Sequence, residues 1–210
     1  MIKLEYIWID GRKSEAKLRS KTKVIKDFGR NIMSCSEWGF DGSSTNQAPG
    51  DNSDCVLKPV RLYENSLEGS DSYLVLCEVY DTDGNPHPTN HRFKLEDIYS
   101  KNRYEEVWVG IEQEYTLYKD GRPLGWPEDG SEPPPQGDYY CGRNKGEWIA
   151  RKHMDLCIDA DIKICGINSE VMLGQWEYQI GADDPRRISD DLWIARWLME
   201  KLCDKYDITV

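Results

Sequence analysis

The sixteen residues from Gly166 to Gly181, GINSEVMLGQWEYQIG, decide how this chain is read. Two short strand-like runs, Ile167–Met172 and Gln175–Ile180, flank Gly174, the layout of a hairpin. Each expected arm carries one glutamate, Glu170 and Glu177, and acids on facing arms can be brought to one face. Neighbouring carboxylates repel unless something positive sits between them, and an oxygen-only ligand set favours a hard divalent ion such as Mg²⁺ or Mn²⁺. A solvated ribbon with two exposed acids has the same sequence pattern, so this stretch alone leaves both readings open.

A second stretch shifts the balance. Residues 107–117 read VWVGIEQEYTL, an alternating run in which Glu112 and Glu114 lie two apart and so share one face of a strand. Its flanks, Val107, Trp108, Val109, Ile111, Tyr115 and Leu117, are too apolar for an exposed edge ribbon. Four glutamates on three apolar strands destabilise the fold unless cations occupy the cluster.

These residues carry a resemblance. GIEQEYTL at 110–117, PQGDYYCG at 135–142 and the opening stretch resemble glutamine synthetase of the shorter, eukaryotic-like type II form, as do EYIWIDG at 5–11 and GFDGSSTNQAPGDNSD at 39–54. The matches are collinear and spread over nearly the whole chain. The resemblance implies an α+β fold: a small N-terminal β-grasp sheet over residues 1–88, then a partial catalytic domain of antiparallel sheet and helices over 89–210. It implies an ATP-dependent ligase that makes L-glutamine from L-glutamate and ammonia through γ-glutamyl phosphate, with Mg²⁺ or Mn²⁺ as cofactor. Glu114, Glu170 and Glu177 would hold the ion nearer the glutamate, and Glu112 would contribute to a second, nearer the nucleotide. Asp41 matches the acid that binds ammonium and takes its proton, Ser44 a polar residue beside it, and Tyr140 a tyrosine lining the ammonium pocket. The family assembles as homo-oligomeric rings in which the DGSS stretch reaches a neighbour's active site.

The rest of the chain agrees with that frame. At 210 residues with net charge −11, it is large enough for a real core and too acidic for a nucleic-acid or anionic-membrane partner. No run reaches the length of a membrane span, and MIKLEYIWID lacks the features of a signal peptide. Seven irregularly spaced cysteines without a CxxC pair fit reduced thiols and a cytoplasmic location.

Strands are expected at Leu4–Ile9, Leu18–Ile25, Val56–Tyr63 and Tyr73–Tyr80, with a turn at Asp83–Pro86. Residues 39–54 read as an irregular loop, 86–90 as the domain boundary, 94–100 as a short helix and the proline-rich 120–138 as a loop. An amphipathic helix over 144–161 holds His153 as a packed or surface residue. A last helix begins after a loop at 182–188, with Ser189 as N-cap, Asp190 and Asp191 in its first turn, and an apolar stripe of Leu192, Ala195, Met199, Leu202 and Tyr206. The final Ile208-Thr209-Val210 reads as the opening of a strand. The resemblance places phosphate-gripping arginines and a metal-binding histidine in a later part of the family's sequence, so this chain alone is expected to be inactive. A non-catalytic short homologue that binds a full-length ring, and a related metal-dependent carboxylate–amine ligase, are the alternatives.

Overall fold

The computed structural model describes residues 1–102 and 106–210, which form two compact units, 1–106 and 107–210. The first unit contains β1 (Ile2–Ile9), β2 (Leu18–Ile25), β3 (Trp38–Asp41), β4 (Asp54–Glu64), β5 (Ser72–Tyr80) and α1 (His91–Lys101). Its five strands lie in the order β2-β1-β5-β4-β3, with β1 and β5 parallel and every other pair antiparallel. Alternation along β1 and β5 sends Leu4, Tyr6, Trp8, Tyr73, Val75, Cys77 and Val79 to one face, where they meet Phe40, Cys55 and Leu57 in the core. Ile7, Leu74 and Leu76 are buried on the other face, so β5 reads as a continuous apolar run.

Two expectations shift here. The irregular 39–54 segment contributes the end of β3 and a single 3-10 turn over Gly42–Thr45, because Asp41 accepts a hydrogen bond from the Ser43 amide and caps that turn. The helix expected at 94–100 spans His91–Lys101, capped by Asn90, whose side chain accepts from the Phe93 amide and donates to the Val79 carbonyl. Arg92 bonds buried Glu78 on β5 at 2.7 Å and ties α1 to the first unit's sheet. The compact units divide at 106/107, with α1 in the first.

The second unit contains β6 (Val109–Thr116), β7 (Tyr118–Lys119), β8 (Arg122–Pro123), α2 (Glu147–Asp159), β9 (Ile164–Ser169), β10 (Gln175–Asp183) and α3 (Pro185–Asp204). Its main sheet is antiparallel in the order β6-β10-β9, and α2 and α3 pack together on one face of it. Among the described residues β6 is thus an edge strand of this sheet, against expectation, and Trp108 before it is 72% exposed. The loop expected at 120–138 starts with a two-residue hairpin, β7–β8, and Thr209 bridges to Tyr118.

The last helix also begins earlier than expected. Asp184 is its N-cap and Pro185 occupies its first turn, a pairing in which the proline's missing N–H leaves nothing unsatisfied. Ser189 therefore lies inside α3 and donates to the Pro185 carbonyl, while Asp190 and Asp191 are buried rather than capping. Asp191 accepts from the Lys163 amide at 3.0 Å and from Arg187. The buried stripe runs through Ile194, Ala195, Leu198, Met199 and Leu202. Tyr206 lies past the helix end, exposed and edge-on to Trp148.

His153 is fully buried on α2, its Nε2 donating to the Ala195 carbonyl at 2.8 Å and its ring 4.9 Å from that of Tyr178. Burial disfavours the charged ring and lowers its pKa from 6.5 to about 4. A neutral buried histidine leaves stability intact above the unfolded value and removes it as pH falls from about 6.5 toward 4, because only the unfolded chain takes the proton. Urea unfolding should show the wild type losing about 2 kcal/mol more than His153→Gln between pH 7 and pH 4.5. Equal losses in the two proteins would rule this out.

Candidate metal centre on the outer sheet face

The face of β6-β10-β9 away from the helices carries the acids. Register places Glu177 directly opposite Glu114, Gln179 opposite Glu112, and Asn168 opposite Glu177 on the other side. Opposed residues of an antiparallel pair point the same way, so Glu112, Glu114, Glu177, Gln179 and Asn168 share one face. Trp176, Tyr178 and Ile180 alternate inward and are buried.

Glu170 arrives by a different route from the one expected. The strand ends at Ser169, so Glu170 lies in the connection to β10 and not on a hairpin arm. That connection is wide, and Asn144 grips it from within: its amide nitrogen donates to the carbonyls of Glu170, Met172 and Gln175 at 3.4, 3.0 and 3.1 Å, and its oxygen accepts from the Gly174 amide at 2.7 Å. Gly174 has φ +86°, and a Cβ there would stand 2.7 Å from the Leu124 carbonyl oxygen, so glycine is required. Held this way, Glu170 is buried, 8% exposed, and brings its charge into the same neighbourhood as Glu177.

The electrostatics show the crowding. The Glu177 carboxyl is raised above its usual range, first by burial and then by Glu112 and Glu170, with the Gln179 amide pulling the other way. Tyr140 is drawn into the same group. Residues 137–142 are tied to the end of β9 by the Ser169 hydroxyl, which donates to the Tyr139 and Gly142 carbonyls at 2.7 and 3.1 Å, and by Cys141 N–H on the Ser169 carbonyl at 3.0 Å. The Tyr140 hydroxyl is raised by adjacent Cys141 and further by Glu170 and Glu177. The structure therefore brings Glu112, Glu114, Glu170, Glu177 and Tyr140 together within the second unit.

Asp41 and Ser44 belong to the first unit. Asp41 is exposed, and its carboxyl is held below the usual range by the Ser43 hydroxyl at 2.6 Å, then the Ser43 amide and Ser44 hydroxyl.

An all-carboxylate donor set suits a hard divalent cation, and the raised Glu177 is an acid whose charge a cation would relieve. Among the described residues no three acid, histidine or cysteine side chains converge as a finished ligand set. Three of the acids instead accept hydrogen bonds from neutral side-chain amides. Gln175 donates to Glu114 at 2.8 Å, Asn168 donates to Glu170 at 3.0 Å, and Gln179 donates to Glu177. These amides escaped the sequence reading, although Gln175, Glu177 and Gln179 alternate at the spacing of one strand face. Asn144 also escaped it, since nothing local marks a residue that acts on a loop thirty positions away.

Residues 1–82 match the family described as glutamine synthetase, beta-Grasp domain. Beyond that domain, the chain is 50% identical over 99% of its length to glutamine synthetase of Streptomyces hygroscopicus, covering 61% of that protein. Similarity to glutamine synthetases therefore runs along nearly the whole chain. A chloroplastic glutamine synthetase of Chlamydomonas reinhardtii is 43% identical over 97% of the chain, and one from Agaricus bisporus 42% over all of it. The chain spans about three-fifths of the length of these glutamine synthetases, 61%, 57% and 59% respectively. A cryo-EM structure of Plasmodium falciparum glutamine synthetase shares the fold at TM-score 0.74 and 14% identity, over 99% of this chain and 46% of its own. A chain of a GmaS/ADP complex does so at TM-score 0.72 and 15% identity, over 98% and 47%. The β-grasp expectation and the antiparallel sheet with helices agree with these matches.

Asn144→Ala removes the grip on the Glu170 connection. It should lower stability by about 2 kcal/mol, the scale of a partly buried amide losing several partners, and speed hydrogen exchange at Gly174. Unchanged exchange there would sink the idea that Asn144 holds this loop.

Proposed function

We propose that the chain carries the N-terminal part of an ATP-dependent glutamate–ammonia ligase, which joins ammonia to the side-chain carboxylate of L-glutamate through γ-glutamyl phosphate and releases L-glutamine, ADP and phosphate. The observation that carries this reading is the register of β10 on β6, which sets Glu177 against Glu114 with Glu112 and Glu170 adjoining. The names of the relatives, at 42–50% identity over nearly the whole chain, support it.

Glu114, Glu170 and Glu177 would hold one Mg²⁺ or Mn²⁺, and Glu112 would contribute to a second. Such ions supply charge neutralisation between the phosphates of ATP and the glutamate carboxylate, two anions that otherwise repel. The chain's own groups supply the ammonium side. Tyr140 stands beside Glu170 and Glu177, with its hydroxyl held protonated as a neutral donor and acceptor. Asp41, kept ionised by its serine donors, suits attraction of an ammonium cation, and Ser44 orients it. A carboxylate so stabilised is a weak base, so its contribution is greater to binding the cation than to removing its proton. In a homo-oligomeric ring of the family kind, Asp41 would serve a neighbouring subunit. No helix among the described residues is long and apolar enough to cross a membrane, and all seven cysteines are free thiols, in keeping with a cytoplasmic setting.

The test is a calorimetric titration of the purified chain with Mn²⁺. Wild type should bind saturably, and Glu177→Gln and Glu170→Gln should each weaken binding at least ~100-fold by removing one charged ligand. Wild-type affinity in both variants would refute the metal-face reading.

A further inference from the structure

The metal-face reading accounts for the acids and leaves the carboxamides among them unexplained. Gln179 Nε2 donates to Glu177 and also to the Asn168 side-chain oxygen at 2.6 Å; Asn168 Nδ2 then donates to Glu170 Oε1 at 3.0 Å. Gln175 Nε2 donates separately to Glu114 Oε2 at 2.8 Å. Among the described residues, the donors to these three acids are those carboxamides and the Val171 amide, with no lysine or arginine bonded to them.

We propose that Asn168, Gln175 and Gln179 are positioning residues: neutral carboxamides that fix the orientation of Glu170, Glu114 and Glu177 for a divalent cation. The inference rests on the metal-face reading. The chemistry of the donor explains the choice of residue. An ammonium or guanidinium in these places would neutralise the carboxylates and compete with the cation. A carboxamide occupies one oxygen lone pair, leaves the negative charge in place and leaves the remaining lone pairs for the ion.

A separate feature of the backbone points the same way. Gly166 stands opposite Gln179 across the β9–β10 ladder, and a Cβ there would lie 2.5 Å from Gln179 Oε1. The side chain of Gln179 lies over the glycine, and that space lets its amide turn back along the face to reach both Asn168 and Glu177. Gly166 touches none of the acids through a side chain, yet it sets the pose of the residue that orients two of them.

The experiment measures free Mn²⁺ by electron paramagnetic resonance in titrations of the full chain. Gln179→Leu keeps shape and removes the donor, Asn168→Ala removes the relay, and Gly166→Ala displaces the Gln179 amide. Each should raise the Mn²⁺ dissociation constant about 10–100-fold, the range for loss of a group that orients a metal ligand. The apo melting temperature and far-UV circular dichroism should stay near those of the wild type. The double variant Gln179→Leu/Glu177→Gln should lose clearly less than the sum of the two single losses, because part of what Gln179 does passes through Glu177. Wild-type affinity in Gln179→Leu and Asn168→Ala, alongside lost binding in Glu177→Gln, overturns the positioning role while sparing the metal face. Fully additive losses in the double variant also overturn it, since a general structural effect adds. Absence of saturable binding by the wild type overturns both. If Gln179→Leu fails to fold, Asn168→Ala and Gly166→Ala decide the matter.

Discussion

Strand β10 cannot slip along its neighbours, and the second unit depends on that. Its residues alternate between two incompatible environments: Trp176, Tyr178 and Ile180 are buried under the helices, while Gln175, Glu177 and Gln179 face the other way. A shift of one residue would drive Glu177 into the apolar core and lift Tyr178 out of it. The packing that makes the core and the register that gathers the acids are therefore one constraint. The Asn144 clasp and Gly174 fix the same register from the connection side.

Within that frame two acids, one in each unit, are tuned in opposite directions. Glu177 is raised by burial and by neighbouring carboxylates, a condition that a cation relieves. Asp41 is lowered by hydroxyl and amide donors from its own turn, a condition that needs no external partner. The first arrangement costs stability as it stands, and the second stabilises its loop outright. Environments that push like groups apart are a recognisable mark of divided chemical roles.

Much of this was legible in the sequence because strand period and turn chemistry are local signals. Leu18–Ile25 matches β2 residue for residue, and the pairing of Glu112 with Glu114 on one face follows from spacing alone. Misreadings cluster where a distant partner decides. Glu170 reads as strand by its apolar neighbours Val171 and Met172, but Asn144 bends that stretch into a connection. Ser189 makes a good cap by type, yet Asp184 ahead of Pro185 is the better one and takes the position. Val107 and Trp108 look too apolar for a sheet edge, but hydropathy does not report which strand finds a second neighbour. The amides that hold the acids are polar residues on a polar face, and only contact geometry separates them from ordinary surface.

The parallel pairing of β1 with β5 bears on how the first unit is made. β1 is synthesised first and can join β2 at once, but its other side waits for Ser72–Tyr80 to emerge. At translation rates of about 5–20 residues per second, that wait lasts on the order of seconds. During it, a young chain presents an open backbone edge beside Leu4, Tyr6 and Trp8, the pattern most prone to joining another chain. The far side of that early hairpin carries Arg19, Lys21 and Lys23, charges that discourage a stranger from docking there. The vulnerable edge is the one that its own β5 later seals, so a crowded ribosome, rather than the finished sheet, sets the hazard this β-grasp order must survive.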